Sequence, residues 1–519
     1  MIQSIDYAAI APPLIVAVAA IGLLLADAFG ASARLLGAAS CGAVGAALAA
    51  VAALAAGDRR ATFCLPEGLR AGGPPSCSYV TDDFTLVFQG VVLLAALVVV
   101  LLSLEEITAP GARLPAGEFH FLLLAAIAGA LTLVAARDLV LLVVALETLS
   151  LPVFALVALR RYDGVASEAA LKLFLVSVVS AAVMLFGVSL VYGATGAMHL
   201  DRIAPALERL PEHLDPVASL GVVLVLAGFG FKVAAVPFHF WAPDVYQGAP
   251  LPVAAFLSVV SKAAGFAGLA IVLALGFPAY GHVWGPLVAV LAAVTMTLGN
   301  LMALRRRTAI RLLAWSSIAQ SGYMLAPLAV GDRRLPEAVA ATTAYVALYA
   351  VMNLGAFAVV VAVQRRFEAA GRPSGRPEGA AEGRWVTLDG FRGLARSSPG
   401  TAAALAFFLI CLAGLPPGVM GLFAKVVVFR AALAGGVTWL AVVMAVNTVI
   451  GLYYYLGWAV RLFAAPADRP GGVPGGVPGR VPAADAGPAV RAAIAATAAG
   501  AVVLSAAPQL VLQTVSTVT

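Results

Sequence analysis

The amino-acid sequence is a succession of long apolar runs separated by short polar stretches, and this pattern restricts the chain to one class of fold. A helix that crosses a bilayer needs ~20 mainly apolar residues. Hydrophobic residues make up 62% of the 519 residues and charged residues only 11%, so no water-soluble core could bury them all. We therefore predict an all-α integral membrane protein with about 14 transmembrane helices, near residues 10–28, 33–56, 85–104, 118–136, 138–160, 168–193, 216–241, 250–276, 283–304, 309–330, 337–363, 400–433, 436–463 and 487–512.

Arginines in the loops predict the orientation of the chain. Loops after odd-numbered predicted helices contain 17 arginines, and loops after even-numbered ones contain 8. The positive-inside bias predicts that the odd loops face the cytoplasm and that both termini lie outside. We attribute the net charge of +6 to this topology and not to nucleic-acid binding. The two longest interruptions, 364–399 and 464–486, are rich in Gly, Pro and Arg. Such composition is typical of linkers without chemistry.

The cysteines argue against a metal or iron–sulfur site in this chain. Cys41, Cys64, Cys77 and Cys411 show no CxxC motif and no ligand spacing. No G-x-G-x-x-G follows a strand pattern, so the sequence has no dinucleotide fingerprint, and any redox reaction would occur on another polypeptide. Cys64 and Cys77 fall in the same predicted external loop, where either a disulfide or two free thiols would be compatible with the sequence.

Lysine is rare in this chain and is confined to the apolar runs or their edges. Only four of the 32 basic residues are lysines, Lys172, Lys232, Lys262 and Lys425, and nearly all the arginines lie in polar stretches. A guanidinium stays protonated in proteins, whereas a desolvated ammonium can release its proton. Glu147 adds an acid near the centre of predicted helix 5. Because ionisable groups inside a bilayer indicate a functional site, we predict a protein that moves protons.

Each of these residues also has a structural interpretation. Burial disfavours the ionised form of Glu147, so this side chain is either a neutral, hydrogen-bonded carboxyl or the partner of a cation. Lys262 and Lys425 lie well inside predicted helices 8 and 12 and could be buried charges with satisfied hydrogen bonds. Lys172 follows Glu168 by four residues, which places both on one side of a helix. A local ion pair, or snorkelling to the interface, is the alternative there.

Proline interrupts two of the predicted helices, each near a lysine. Lys232 lies five residues before Pro237, and the segment LAGLPPG (412–418) ends seven residues before Lys425. Proline breaks a helix and frees backbone carbonyls. Broken helices at membrane depth are tolerated where they line a cavity, and transporters use them at ion sites. The two breaks therefore indicate where ions pass.

The positions of the breaks predict an internal repeat. Helices 4–8 (118–276) and 9–13 (283–463) form two sets of five, and each break falls in the fourth helix of its set. With an odd number of helices per unit, the second unit must be inverted in the membrane, as in secondary transporters. Helices 1–3 (1–117) precede the repeats, and a Gly/Pro-rich linker with helix 14 (464–519) follows them.

Five segments carry a family resemblance: GFGFKVAAVPFHFWAPDVYQGAPLPVAAFLSVVSKAAGFA (228–267), ALETLSLP (145–152), EAALKLF (168–174), GNLMALRRRTAIRLLAWSSIAQSGYML (299–325) and LAGLPPG (412–418). They resemble the antiporter-like membrane subunits of bacterial NADH-quinone oxidoreductase, respiratory complex I, over predicted helices 4 to 13. The first segment is highly specific to this group. The EAALK segment, and an end soon after helix 14 without a long lateral helix, resemble the subunit N family more than the larger L-type relatives.

The resemblance implies roles for the buried charges. In that family the helix-5 glutamate and the helix-7 lysine form a charge pair, here Glu147 and Lys232. The helix-8 and helix-12 lysines, here Lys262 and Lys425, continue a hydrated proton path across the middle of the protein. Lys172 matches a further family lysine.

His239, in PFHFW, follows the first break. It could assist the proton relay, or it could be a buried histidine hydrogen-bonded to the freed backbone.

The resemblance also implies cofactors and partners. NADH, FMN, iron–sulfur clusters and quinone would be bound by other subunits, and none by this chain. The partners would be the other membrane subunits of complex I and the lipid bilayer of the bacterial plasma membrane, and not nucleic acid. Two other functions remain open. A subunit of a multi-subunit cation/proton antiporter would depend on Na⁺ or K⁺, and a passive membrane scaffold would leave the intramembrane charges unexplained.

Overall fold

The computed structural model describes residues 5–66, 75–108, 114–160, 163–369, 386–465 and 486–516. The Gly/Pro-rich segment 469–482, interpreted above as a linker, lies outside these ranges. The first half of the chain forms α1 (Ala11–Ala28), α2 (Ala33–Ala55), β1 (Arg60–Cys64), β2 (Cys77–Thr81), α3 (Asp83–Thr108), α4 (Ala116–Leu133), α5 (Leu139–Ala158), α6 (Gly164–Thr195), α7 (Leu200–Glu208), α8 (Asp215–Lys232), α9 (Trp241–Gly248), α10 (Leu251–Phe256) and α11 (Lys262–Ile271).

The second half of the chain continues the helical pattern. It forms α12 (Gly281–Ala303), α13 (Ala309–Leu325), α14 (Leu335–Ala369), α15 (Leu394–Ser397), α16 (Pro399–Ala413), α17 (Val419–Ala434), α18 (Thr438–Phe463), α19 (Pro488–Ala506) and α20 (Gln509–Ser516).

Twelve helices in the described ranges are long and apolar enough to cross a membrane, two fewer than the sequence predicts. Predicted helix 10 (309–330) is the 17-residue α13 followed by a 3₁₀ helix at Ala326–Val330. Predicted helix 12 (400–433) is divided into α16 and α17. The all-α class is confirmed, and the lower number of spans results from one shortened and one divided helix.

A small β-hairpin, which the sequence analysis does not predict, joins α2 to α3. Strands β1 and β2 pair antiparallel, with Arg60 opposite Thr81 and Cys64 opposite Cys77. Cys64 and Cys77 form a disulfide, so the first of the two alternatives for these cysteines holds. Each strand has only five residues, which is too short for alternation to distinguish it from a loop in the sequence.

Both proline breaks are present in the structure. Helix α8 ends at Lys232, and irregular backbone leads to α9 at Trp241. Helix α16 ends at Ala413, and α17 begins at Val419. Pro237 and Pro416 fall inside these gaps, as expected for a residue that cannot donate a backbone hydrogen bond.

The centre of the protein is formed by three buried helical segments. Residues Leu251–Gly276 form one continuous helix that is buried except at Ala274 and Leu275, and α14 is nearly as buried. Within Leu251–Gly276, π-helical segments at Leu257–Ser261 and Val272–Gly276 flank α11. Helix α13 is also buried along its length except at Arg311. Polar side chains on these segments therefore depend on hydrogen-bond partners inside the protein, such as the bond from Asn353 Nδ2 to Ser258 Oγ at 2.9 Å.

A partly buried ion pair holds the short connection between α4 and α5. Arg137 donates to both carboxylate oxygens of Asp82, at 3.0 and 2.8 Å. Burial alone would raise the pKa of Asp82, but the charge and hydrogen bonds of Arg137, with a backbone hydrogen bond from Thr85, hold the pKa below its usual value. The carboxylate therefore stabilises the folded chain as an anion.

The last long helix, α19, is attached to the N-terminal part of the chain through its first turn. Glu105, near the end of α3, accepts from the backbone nitrogens of Gly487 and Val490, both at 3.1 Å. A carboxylate at this position satisfies two otherwise free N–H groups and complements the helix dipole. This contact holds the start of α19 against the end of α3.

Candidate functional site: a row of buried lysines

Lys232 lies at the first helix break and is fixed by residues of other helices. Its side chain is 5% exposed, and its Nζ donates to Ser150 Oγ on α5 at 2.8 Å. Thr295 Oγ1, on α12, accepts from the backbone nitrogen of Val236 in the break at 2.9 Å. Ala234 adopts a left-handed backbone conformation there, with φ 56°. The freed backbone and the lysine are thus held by side chains from neighbouring helices.

Glu147 lies one helical turn before Ser150 on α5. It is half-buried, its Oε1 has no hydrogen-bond partner among the described residues, and its charge interacts electrostatically with that of Lys232. No distance under 4.0 Å joins the Glu147 carboxylate to the Lys232 ammonium. The charges expected to pair from the resemblance therefore interact at a distance greater than 4.0 Å in this structure. The direct hydrogen bond of Lys232 goes to the neutral hydroxyl of Ser150.

A small cavity lies beside Lys232. Its volume is about 10 Å³, and its lining includes Ser150, Ser177 and Ser261 among apolar side chains. This is room for about one water molecule. Ser261 directly precedes Lys262 in the chain. Gly265, one turn later, packs against the stem of Lys232 so closely that a Cβ there would lie 2.9 Å from the lysine Cγ. The cavity thus extends from Lys232 to the helix that carries Lys262.

Lys262 is bound by a single helix, α13. It is 2% exposed, and its Nζ donates to Ser317 O at 2.6 Å, to Ser317 Oγ at 2.7 Å and to Ser321 Oγ at 2.9 Å. Tyr349 on α14 donates to the same Ser317 hydroxyl at 2.9 Å. All three protons of the ammonium group therefore have neutral oxygen acceptors.

Lys425 lies at the second helix break. It is 6% exposed, and its Nζ donates to the carbonyl of Ala413, the last residue of α16, at 2.6 Å. The ammonium lies over the ring of Tyr323, 5.5 Å from the ring centroid, a favourable position for a cation. Gly414 has φ +80°, and a Cβ on it would lie 2.9 Å from Lys425 Cδ. This glycine leaves the space that the lysine stem occupies, next to an open groove of about 820 Å³ between α17 and α18.

A hydrogen-bonded network of polar side chains lies between Lys262 and Lys425. Gln320, on α13, accepts from Tyr345 OH at 2.5 Å and donates to Tyr455 OH at 3.0 Å. Tyr455 also bonds Ser316 at 2.5 Å. Tyr345 stacks on Tyr323 with ring centroids 6.2 Å apart and an interplanar angle of 1°. The polar groups here satisfy one another inside a region without water contact.

Lys172 and His239 lie apart from this row. Lys172 pairs with Glu168 at 2.8 Å and with Asp244 at 2.9 Å, and its side chain is 46% exposed. The local ion pair considered above is therefore present. His239 is buried, and its ring packs against Trp315 with centroids 5.5 Å apart. The structure describes no hydrogen bond between His239 and any lysine.

The direct partners of the lysines are residues that the sequence analysis did not single out. Ser150 had a weak signal, because it lies three residues after Glu147 on the same helix. Ser317 and Ser321 had a stronger one, because SSIAQS (316–321) is a polar cluster inside an otherwise apolar span. The carbonyl of Ala413 has no signal in the sequence. Within the described ranges, no group of three His, Cys, Asp or Glu side chains is placed to hold a metal ion.

The chain is similar to membrane subunits of known respiratory and antiporter complexes. Residues 136–451 match the family model described as NADH:quinone oxidoreductase/Mrp antiporter, TM. The sequence is 52% identical to NADH-quinone oxidoreductase subunit N 2 of Streptomyces griseus subsp. griseus, over 99% of this chain and 94% of that protein. A chain in the structure of respiratory complex I from Thermus thermophilus with bound aureothin is 33% identical, with a TM-score of 0.74 over 97% of this chain and 98% of that one. A chain of the Mrp complex from Dietzia sp. DQ12-45-1b shares the fold, with 22% identity and a TM-score of 0.81 over 98% of this chain and 96% of that one.

Proposed function

This chain belongs to the NADH-quinone oxidoreductase subunit N family, and on that basis we propose that it moves protons along Glu147, Lys232, Lys262 and Lys425. It is a proton-translocating, antiporter-like membrane subunit of respiratory complex I. The membership gives the function of the subunit, and the proposal gives the residues that carry the protons.

The observation that carries the proposal is the chemistry around the three buried lysines. Lys232, Lys262 and Lys425 are each at most 6% exposed, and every hydrogen bond described for their ammonium groups goes to a neutral oxygen. No carboxylate in the described ranges lies within 4.0 Å of any of them. A buried cation without a bonded anion is costly, so these lysines are suited to accept a proton and to release it.

The partners of the lysines support both protonation states. The hydroxyls of Ser150, Ser317 and Ser321 accept from an ammonium and can turn to donate to a neutral amine. The carbonyl of Ala413 only accepts, but a neutral amine keeps two N–H groups and can still donate to it. Neutral Lys232 and Lys425 can therefore keep their acceptors. A hydroxyl that turns towards an amine gives up its present bond, from Ser150 to Leu146 O at 2.6 Å or from Ser321 to Ser317 O at 3.1 Å.

We propose that Glu147 controls the occupancy of Lys232. An ionised Glu147 favours the protonated lysine through its charge, and weaker coupling lets desolvation favour the neutral amine. The released proton then passes to Lys262, with a water in the cavity beside Lys232 as its first acceptor, and on to Lys425. The groups titrate as coupled sites. Moving one charge against ~150 mV costs roughly 3.5 kcal/mol, which a change in a buried charge interaction of this kind can supply.

We also propose how the helices are grouped into units. Predicted helices 4–8 (118–276) and 9–13 (283–463) form two inverted repeats, supported by the matching breaks beside Lys232 and Lys425. Helices 1–3 (1–117) and the linker with helix 14 (464–519) flank them. We propose that both termini lie outside the bacterial plasma membrane, which agrees with a disulfide in the hairpin on that side.

Cofactors and partners follow from the same proposal. NADH, FMN, iron–sulfur clusters and quinone are bound by other subunits of the complex, and this chain contacts its membrane subunits and the bilayer. Lys172 and His239 are assigned accessory roles. The exposed ion pair of Lys172 would deliver protons at the edge of the path, and buried His239 would act beside the first break.

A second candidate is a subunit of a cation/proton antiporter, because the Mrp complex chain has the same fold. The 52% identity to a subunit N favours the first candidate. Na⁺ or K⁺ dependence of proton movement would separate the two.

The test is proton translocation by membranes that contain the assembled complex. Lys232→Ala, Glu147→Ala and Lys232→Arg are each expected to impair pumping, the last because a guanidinium cannot release its proton. Arg333→Ala is the control, since Arg333 is exposed and surface substitutions usually cost little. Activity is compared at matched subunit content. If all three variants pump like the parent, the proposed path is wrong.

A further inference from the structure

We infer that Gln320 is a positioning residue for proton transfer at Lys425, and that it connects the second helix break to the helix that binds Lys262. The inference rests on the proposed function of these two lysines. It concerns a neutral side chain that does not itself carry a proton.

The carboxamide of Gln320 is fully used and its orientation is fixed. Gln320 is 3% exposed. Its Nε2 donates to Leu412 O at 3.4 Å and to Tyr455 OH at 3.0 Å, and its Oε1 accepts from Tyr345 OH at 2.5 Å. A carbonyl can only accept, so the amide nitrogen must face Leu412. One side chain of α13 is thereby bonded to α14, α16 and α18.

Gln320 and Lys425 bind neighbouring carbonyls at the end of α16. Leu412 and Ala413 are the last two residues of that helix, and carbonyls in a last turn have no partner within the helix. Gln320 donates to the first and Lys425 donates to the second, at 2.6 Å. A shift of the helix end would lengthen the short bond to Lys425. The hydrogen bond from Gln320 to Leu412 O involves no charged group, so it persists when Lys425 loses its proton.

Helices α13 and α14 are joined by two bonds of the same kind, one turn apart. Tyr349 donates to Ser317, which binds Lys262. Tyr345 donates to Gln320, which binds the end of α16. A movement of α13 that changes one contact therefore also changes the other.

The ring of Tyr345 adds a second connection to the same lysine. It stacks on Tyr323, over which the ammonium of Lys425 lies. Tyr323 is itself held by Thr448 at 3.1 Å and by the carbonyl of Met444 at 3.2 Å. Lys425 thus contacts two groups, the carbonyl of Ala413 and the ring of Tyr323. Each of these groups is next to a residue that is bonded to Gln320, Leu412 in the first case and Tyr345 in the second.

The experiment compares two buried glutamines of similar chemistry in the assembled complex. Gln320→Leu removes the positioning amide. The matched control is Gln89→Leu, because Gln89 is also buried and also donates to a tyrosine hydroxyl and a backbone carbonyl, at 3.0 Å each, without a contact to any lysine. Each is combined with Lys425→Ala, and proton translocation and quinone reduction are measured per assembled complex.

We expect Gln320→Leu to slow proton translocation about tenfold, because the bond from the charged Lys425 to Ala413 O weakens once the neighbouring carbonyl of Leu412 loses its donor. In the Lys425→Ala background it should cause little further loss, because residues that act through one group are not additive. Gln89→Leu should alter assembly or stability, leave translocation per complex near the parent value, and combine multiplicatively with Lys425→Ala. A purely structural role for Gln320 would give the pattern of Gln89.

The possible outcomes separate the two claims. If Lys425→Ala pumps like the parent, the proposed function is wrong at this lysine and the inference is overturned with it. Two results would overturn only the inference while Lys425→Ala is impaired. One is normal pumping by Gln320→Leu, and the other is a double variant whose loss of pumping equals the product of the two single losses. If the complex with Gln320→Leu does not assemble, Tyr345→Phe, which removes only one oxygen atom, is used in its place. It must then slow translocation alone and cause little further loss in the Lys425→Ala background. A multiplicative result for Tyr345→Phe would overturn the inference.

Discussion

Removing the two hydroxyls that bind Lys262 tests whether the proton affinity of this lysine controls pumping. Ser317→Ala deletes the acceptor at 2.7 Å, and Ser321→Ala deletes the acceptor at 2.9 Å. The double variant leaves only the carbonyl of Ser317, at 2.6 Å. All three acceptors belong to α13, and each change removes a single oxygen atom with little packing volume. Ser317→Ala also removes the acceptor of Tyr349 OH.

The structure allows the size of the effect to be worked out. A hydrogen bond from a charged donor contributes about 2 kcal/mol, whereas a hydroxyl bonded to the neutral amine contributes about 1 kcal/mol. Each serine therefore favours the protonated form by about 1 kcal/mol, and the pair by about 2 kcal/mol. Since ~1.4 kcal/mol corresponds to a factor of ten, the single variants should pump about fivefold more slowly and the double variant about 30-fold.

The assay is proton translocation coupled to quinone reduction, in membranes with equal amounts of assembled complex. Ser103→Ala is the control, because Ser103 is a buried serine whose hydroxyl donates at 2.7 Å to Val100 O within its own helix, α3. It should stay within about twofold of the parent, as expected for a substitution away from the path. A double variant that pumps as fast as Ser103→Ala would refute the reasoning that the serines set the proton occupancy of Lys262.

Three further changes address stability and the second break. Asp82→Asn should lower the stability of the folded subunit at pH 7 by about 2 kcal/mol. Because the pKa of Asp82 is lowered, this stabilisation is present above about pH 4 and is lost as the pH falls through the lowered pKa. The thermal unfolding of parent and variant should therefore converge in acid. Glu105→Gln should lower thermal stability by about 1 kcal/mol through loss of the charge at the first turn of α19, and an unchanged unfolding temperature would contradict this. Gly414→Ala should slow pumping, because a Cβ there would lie 2.9 Å from Lys425 Cδ. Gly196→Ala, at φ +67° with nothing within 4 Å of the added Cβ, has the same backbone strain and should pump normally.

The helices and their breaks could be predicted because each depends on local chemistry. A run of apolar residues long enough to span a bilayer has few alternatives, and Pro237 and Pro416 each remove a backbone donor and disfavour a continuous helix. Proline alone does not fix a break, because Pro152 and Pro286 lie inside the continuous helices α5 and α12. The end of α13 at Leu325 could not be predicted, because the 3₁₀ segment that follows is as apolar as the helix before it. The hairpin that includes Cys64 and Cys77 depends on pairing between short segments, which a single sequence does not reveal.

The lysines of the site could be found from their rarity, but their contacts could not. The partner of Lys232 is Ser150, 82 residues earlier in the chain, and the resemblance indicated Glu147 one turn away instead. The acceptor for Lys425 is a backbone carbonyl of Ala413, a group that every residue has. Which helix faces which lysine is decided by packing between segments distant in sequence, and periodicity within one segment carries no information about it.

The π-helical segment Leu257–Ser261, directly before Lys262, is a place where this helix can change its length. Successive residues of an α-helix are rotated by about 100° around its axis, and an i→i+5 segment accommodates one extra residue without ending the helix. Because the segment absorbs the extra residue, deleting one residue between 257 and 261 would restore a regular helix and leave Lys262 facing the serines of α13. A deletion within Leu251–Phe256 would instead rotate Lys262 by about 100° relative to the start of the helix. In the divergence of related sequences, one-residue deletions should therefore be found within 257–261 and not in the regular turns before it.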